Sequence, residues 1–375
     1  MKSSAFRVMC VIALLATPVS LQQRVTEKKA PQRPLRFAIV RNDKIGFIDE
    51  NGTVVIKPQF GGPMYGGAYF SEGLAPVLTS DGWVYIDESG KLVLRTTFDS
   101  AGSFSEGLAP VCVAQTRVDN TRDLRCGYID KTGKIVIAPR FYKADVFRDG
   151  LARVYINEKV SADRKEKVGW IDKEGRVVIE PVFENAYWFS EGLANVELAN
   201  GQRAYIDKTG KVVSNPEYEY TWAWFSEGLA PAKKGGKWGY VSKEWKFVIE
   251  PKFDYVAQAF YDGLAHVRID DKYGFIDVTG RMVIPPRLDN PANFSEGLAA
   301  IQVGGKYGYI DRSGNLAIEP VFTSATEFRG GLAAVTKNED VNRVMCCWRR
   351  WDYIDKAGRL VWEDQSKRSV QNRAR

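Results

Sequence analysis

Short apolar runs of period two, separated by polar turns that carry glycine, recur along this chain every 34 to 44 residues. The clearest copy runs Leu298 to Val303, Gly304-Gly305, Lys306 to Asp311, a turn to Gly314, and Asn315 to Glu319 before Pro320. Alternating apolar and polar positions over five or six residues predict half-buried strands. Gly-Gly between two such runs predicts a tight hairpin, because that turn needs positive φ at both central residues. The second turn has an acceptor side chain at Asp311 and a residue tolerant of left-handed geometry at Gly314. Pro320 cannot donate to a ladder and ends the third strand. Each unit therefore reads as a three-stranded antiparallel meander, with strands a, b and c.

The beat of the repeat is Ile-Asp, at Ile48-Asp49, Ile86-Asp87, Ile129-Asp130, Ile171-Asp172, Ile206-Asp207, Ile276-Asp277, Ile310-Asp311 and Ile354-Asp355, with Val241-Ser242 in the remaining slot. That gives about nine units. A sheet of this size cannot bury its apolar face alone, so the units must stack. In the links, Phe70, Phe104, Phe147, Phe189, Phe225, Phe260, Phe294 and Phe328 each stand three residues before a glycine. These rings are expected to plug the space between neighbours, with the glycine turning the chain into the next strand a.

The strand b motif Lys237-Trp238-Gly239-Tyr240 recurs as Lys44-Ile-Gly-Phe47, Lys272-Tyr-Gly-Phe275 and Lys306-Tyr-Gly-Tyr309. It resembles the WG (KWG) repeat family of bacterial proteins over roughly residues 36 to 363. The resemblance implies a repeat module and is almost silent on activity. Trp83-Val84, Arg203-Ala204 and Trp351-Asp352 lack the motif glycine, and Val241-Ser242 lacks the aspartate, so those units are expected to twist differently. Every unit holds its own strand a and strand c, with none split between the two ends. Nine would also exceed the about four to eight blades usual for a propeller. The sequence therefore favours an all-β open solenoid or superhelical ribbon, with a closed β-propeller as the alternative.

Residues 1–20 have Lys2 and Arg7 ahead of the apolar stretch Val8 to Leu15, then small residues and Pro18, the layout of a secretory signal peptide. Export to the cell envelope or beyond follows; an uncleaved stretch would instead serve as an N-terminal anchor. No other segment reads as membrane-spanning. The formal charge of +7 points to an anionic partner until it is located. It sits in the leader, in a basic linker at 21–35 running on to Arg36, and in a basic tail at 364–375; the repeat body is slightly acidic. That distribution argues against nucleic acid as a partner.

Three units replace the tight a-to-b turn by insertions, Thr116 to Arg125, Asn157 to Lys167 and Asn338 to Arg350. Equivalent turns in a stack lie on one edge, which makes that edge the expected binding surface. Its candidate residues are Arg117, Asp119, Arg122, Arg125, Asp163, Arg164, Lys165, Trp348, Arg349 and Arg350. Cys112 and Cys126 align with Gln302 and Tyr307 of the eighth unit, which face each other across its hairpin. A disulfide at the base of the first insertion is expected in an oxidising compartment. Cys346 and Cys347 read as free thiols in the third insertion, with bonding to another chain as the sharper alternative. Trp188, Tyr218, Tyr220, Trp222 and Trp224 form a candidate aromatic platform for a sugar or protein, with inter-unit core as the plainer reading.

His266 is the sole histidine and occupies the slot of Pro76, Pro110 and Pro231, so packing is its expected role. Triads and relays built on histidine are thereby excluded. The repeated carboxylates read as turn and cap residues, no metal site or cofactor is expected, and no catalytic pair stands out. The expectation is a non-enzymatic exported binding scaffold for a protein or cell-surface glycan. A self-associating structural envelope component and, less favoured, a carbohydrate-active enzyme are the alternatives.

Overall fold

The computed structural model describes residues 35–61, 69–116, 122–156, 166–214, 218, 220–221, 223–337 and 351–363. The leader, most of the basic linker and the basic tail lie outside them. Regular structure among the described residues is entirely β, in nine antiparallel sheets that follow one another along the chain. None of these residues forms a helix long and apolar enough to cross a membrane.

In the eighth unit, Pro291–Ser295, Leu298–Val303, Lys306–Asp311 and Leu316–Phe322 pair in that order. Val303 faces Lys306 across Gly304 and Gly305, whose φ values are 56° and 78°. The expected meander a-b-c is present, and the link supplies a short fourth strand in six of the nine sheets. Link and strand a meet in a two-residue turn with both φ values positive, as at Glu296 (54°) and Gly297 (87°). This is the turn geometry that matches strand twist, and the sequence expectation assigned left-handed backbone to the glycine alone.

The strand b glycine is there because strand c crosses over it. A β-carbon on Gly127 would lie 2.3 Å from the Ile137 carbonyl oxygen and 2.6 Å from the Pro139 nitrogen. The same approach recurs at Gly46, Gly169, Gly239, Gly274 and Gly308, each against an Ile-x-Pro segment of strand c. Register slips at that place: Ile137 faces Tyr128 and Phe141 faces Cys126, so four residues of strand c span two of strand b. The units with Val84, Ala204 and Asp352 in the glycine slot lack the Ile-x-Pro segment. In the second unit, Val84 faces Arg95 and Tyr85 faces Leu94 with no slip. The second unit thus pairs differently, whereas the ninth keeps the usual register at Tyr353–Trp362 and Ile354–Leu360, and the sixth, with Ser242 for the aspartate, slips as its neighbours do.

Neighbouring sheets share apolar cores. One such cluster joins Tyr128, Ile137, Phe141 and Phe147 to Ala152, Val154 and Ile171 of the following unit. The link phenylalanines fill the predicted slots, with Phe104, Phe147 and Phe225 fully buried. The b-to-c turn glycine of each unit rests on strand c of the preceding one, Gly175 on Ile137 and Gly314 on Ile284. At the fifth-to-sixth joint both members change: Ser214 stands in the isoleucine slot and Trp245, at φ 58°, in the glycine slot. The Trp245 indole packs on Tyr205 and Phe225 at 5.3 and 5.7 Å, occupying space that the smaller serine leaves.

The same contacts join the ninth unit to the first. Tyr353 donates its hydroxyl to the Ala38 carbonyl at 2.7 Å, as Tyr309 does to Thr326 within the array at 2.8 Å. Gly52 rests on Val361 of the last strand c, and Ile39, Ile48, Leu332, Ala334 and Tyr353 share one buried cluster. Of the two arrangements that the sequence left open, the structure therefore has the closed ring, a propeller of nine blades, and not the favoured open ribbon. Nine whole units close without a split one because the end-to-end joint is made by side chains and not by strand exchange. The link-face ion pair of other joints is lost at the seam. Gly330 replaces the link acid where Leu35 lies against it, a β-carbon there falling 2.2 Å from Leu35 Cδ1, and Glu50 stands where five other units carry lysine.

Candidate functional site

The ring has two unlike faces. Leu298 pairs with Asp311 at one end of its sheet and Val303 with Lys306 at the other. Link turns and b-to-c turns therefore share one face, and a-to-b turns occupy the opposite one. The first face is stitched from unit to unit. Ser71, Ser105, Ser190, Ser226 and Ser295 each donate to the carbonyl of the next link phenylalanine, at 2.6 to 2.9 Å. Glu72 accepts from Gly107 N–H at 3.2 Å and pairs with Lys131 at 2.8 Å. Burial opposes ionisation of Glu72, but the bonds from Lys131 and Gly107 outweigh it and hold the carboxyl below its usual pKa. Lys173–Glu106, Lys208–Asp149, Lys243–Glu191 and Lys356–Glu296 repeat the pairing. The turn aspartates cap their own loops; Asp277 accepts from the Thr279 hydroxyl and from the Thr279 and Arg281 N–H groups, and these bonds lower the pKa of Asp277 to about 2. The repeated carboxylates thus have the turn and cap roles that the sequence suggested.

All three insertions spring from the other face. In the first, the hairpin continues further than expected: strands Leu108–Thr116 and Arg122–Asp130 pair as far as Thr116 with Arg122. Cys112 faces Cys126 in that stem and is bonded to it, with Cα atoms 4.0 Å apart. Arg125 lies in the stem, its guanidinium 2.8 Å from the buried carboxylate of Asp123. This places Arg125 in a local ion pair and not on a loop tip. Arg122 is the first residue of strand b; only its backbone is described. Arg117, Asp119, Asp163, Arg164, Lys165, Trp348, Arg349 and Arg350 lie outside the described residues, as do Cys346 and Cys347.

Of the aromatic platform, Trp188 and Trp224 come together, their rings 5.1 Å apart, with Tyr187 6.3 and 6.0 Å from them. All three are half-buried. Tyr218 leaves the group: its ring packs on Phe247 at 5.2 Å and its hydroxyl donates to the Trp245 carbonyl. One continuous row is therefore not formed, because Tyr218 precedes the short strand Tyr220–Thr221 and belongs to the packing of the sixth unit. Tyr220 is described by its backbone alone, and Trp222 lies outside the described residues.

Link residues of several units converge on a mouth of about 690 Å³, lined by Tyr69, Ser103, Val146, Arg148, Trp188, Glu191 and Arg329 among others. Because these come from the second to fifth and the ninth units, the link strands form the inner wall of the ring. Tyr69 is 57% exposed, with Arg329 over its ring at 5.9 Å, and Arg148 stacks on Trp188 at 4.7 Å. Arg148 and Arg329 occupy the slot that is serine in most links. Sequence reasoning missed both because it sought lengthened turns and not single substitutions within the repeat; aligning the links slot by slot would have found them. His266 packs as expected, stacked on Tyr255 at 6.1 Å and edge-on to Tyr273 at 5.7 Å. Burial lowers its pKa to about 4. Among the described residues no group of three or more His, Cys, Asp or Glu side chains is placed to hold a metal ion.

No curated protein matches the chain significantly. Among solved structures it is similar to a eukaryotic initiation factor, at 12% identity and TM-score 0.55 over 88% of this chain and 95% of that one. That likeness concerns the fold alone. Weaker similarities reach AztD of Citrobacter koseri (16% identity, TM-score 0.37, 76% and 94% covered) and an uncharacterized protein of Listeria monocytogenes (10%, 0.35, 76% and 90%). Eight segments, at 45–83, 83–114, 127–159, 169–201, 204–238, 238–273, 273–307 and 307–339, match the WG containing repeat. With its motif glycines explained by the crossing of strand c and its repeats matched over most of its length, the chain belongs to the WG-repeat family.

Proposed function

We propose that this protein is an exported, non-enzymatic binding scaffold that recognises a protein or a cell-surface glycan through the loops on one face of its ring. The observation that carries this reading is the asymmetry of the two faces. The link face is occupied by bonds between its own units, whereas the opposite face bears all three departures from a tight hairpin turn. A repeat array offers a broad surface whose folding is shared among neighbours, and distinctive loops supply specificity. The Cys112–Cys126 bond at the base of the first insertion accords with export to an oxidising compartment. Closure of the ring also leaves no end sheet free to stack on a second copy, which weighs against a purely self-associating role.

The test is a crosslinking pull-down from the native envelope fraction. It compares the mature protein with a variant in which 117–121, 157–165 and 338–350 are replaced by Gly-Gly turns. A species captured by the native ring and lost by the variant, at unchanged β content, supports the reading. Equal capture by both forms moves the site to the link face, and capture of nothing but itself favours a structural role.

A further inference from the structure

A second cavity, of about 270 Å³, lies between the links into the fourth and fifth units; Pro110, Leu151, Trp170 and Trp188 wall it, and Arg148, Arg153 and Asp145 supply its charge. It arises where the fourth unit abandons both standard ties to the next link. Its link carries Arg148 in the serine slot, and Trp170 replaces the tyrosine whose hydroxyl elsewhere reaches a link carbonyl. Tyr128, for instance, donates to Asp145 and Tyr240 to Ala257. The Trp170 indole is 1% exposed, and its Nε1 has no acceptor among the described residues. Arg153 takes the slot held by proline in three other units; it bonds Asp145 through Nε at 2.6 Å and the Ala186 carbonyl through a terminal nitrogen. The seventh unit makes the same two departures, with Tyr261 and Phe275 in those slots, but there His266 stacks on Tyr255. In the fourth unit the space is open.

The lining carries two guanidinium groups against one carboxylate, and Arg153 is already neutralised by Asp145. Among the described residues the uncommitted charge of this lining is Arg148, exposed and lying over Trp188. A planar guanidinium recognises carboxylate in bidentate fashion, and indole walls suit the apolar face of a ring. We propose that this cavity binds a sugar carboxylate, with its carboxylate on Arg148 and a ring hydroxyl accepting from the unpartnered Nε1 of Trp170. The inference goes beyond the proposed function, because it adds a site among the links, away from the insertion loops.

The test is calorimetric titration of the mature protein with D-glucuronate and with D-glucose. Saturable binding of glucuronate, with glucose weaker by at least about tenfold, is the expected result. Arg148→Ala, an exposed position, should weaken glucuronate by at least about tenfold with an unchanged melting temperature. Trp170→Tyr restores the residue of six other units and its tie to the link, so the fold persists and binding is lost. No saturable binding, equal affinity for glucose, or undiminished binding by either variant would overturn the proposal. A glucuronate-terminated oligosaccharide that binds as well as the free acid identifies a glycan end as the source; one that fails assigns the site to a free sugar acid. Partner capture by the insertion loops is read separately, so an empty cavity with intact capture sinks this proposal and leaves the scaffold standing.

Discussion

Tyr353 donates its hydroxyl to the Ala38 carbonyl 315 residues earlier in the chain, and the bond is the ordinary inter-unit bond of this array. Ring closure thus draws on the bond made at joints where strand b carries this tyrosine, and adds Phe37, 5.7 Å from the Tyr353 ring, and Arg41, 4.6 Å from Trp362. Tyr353→Phe should lower unfolding stability by about 1 kcal/mol, the usual worth of such a bond. Tyr309→Phe, its internal counterpart, should cost the same. Urea unfolding of both variants decides the matter: an undiminished midpoint for Tyr353→Phe alone would mean that the ring is open in solution.

The motif glycine makes a sharper prediction. Gly127→Ala forces a β-carbon into the backbone of Ile137 and Pro139, which cannot yield as a flexible side chain would. Overpacking of this kind costs about 2 to 3 kcal/mol. Ala204→Gly, at the same slot in a unit without the crossing segment, should cost only about 1 kcal/mol from lost backbone restriction. Equal costs in chemical denaturation would contradict the crossing-strand account.

The Ser214 and Trp245 slots form a compensating pair around Tyr205, whose N–H donates to Ser214 Oγ at 3.0 Å while its ring packs on Trp245. Trp245→Gly restores the repeat residue yet empties the joint, so a loss of about 3 to 5 kcal/mol is expected. Adding Ser214→Ile should recover part of that loss, a coupling measurable in a double-mutant cycle. Strict additivity would show that the two slots are independent.

The pH dependence of stability has a window belonging to His266. Burial depresses its pKa to about 4 in the folded state, while the unfolded chain takes up the proton near the ordinary histidine value of 6.5. Unfolded chain then binds more protons between those values, so this contribution is intact above about pH 6.5 and is lost as pH falls toward 4. His266→Phe should flatten the melting temperature across that interval. The turn aspartates act lower: Asp277, held near 2 by Thr279, loses its contribution only as pH falls below about 3.8. A slope between pH 6.5 and 4 that survives the His266 substitution would assign it to other groups.

Reduction of Cys112–Cys126 releases a loop with a sequence separation of 14 and should cost about 3 kcal/mol. Cys112→Ser with Cys126→Ser should reproduce that loss and make the protein insensitive to reductant. Melting with and without dithiothreitol gives the answer.

The sequence by itself determined most of what is local in this protein. Gly304-Gly305 fixed a hairpin, the register it imposed set Cys112 opposite Cys126, and the spacing of Phe147 and Phe225 placed them in the joints, since turn chemistry and period-two patterning act over a few residues. It also held clues that were legible only slot by slot, such as Arg148 for serine and Trp170 for tyrosine. The closure of the ring, the gathering of Trp188 with Trp224 but not Tyr218, and the cavity beside Arg148 were decided by tertiary structure. Closure depends on the small rotation from each sheet to the next, accumulated over nine joints, and no single repeat encodes that sum. The aromatic grouping depends on which link residues face the inner wall once the ring has closed.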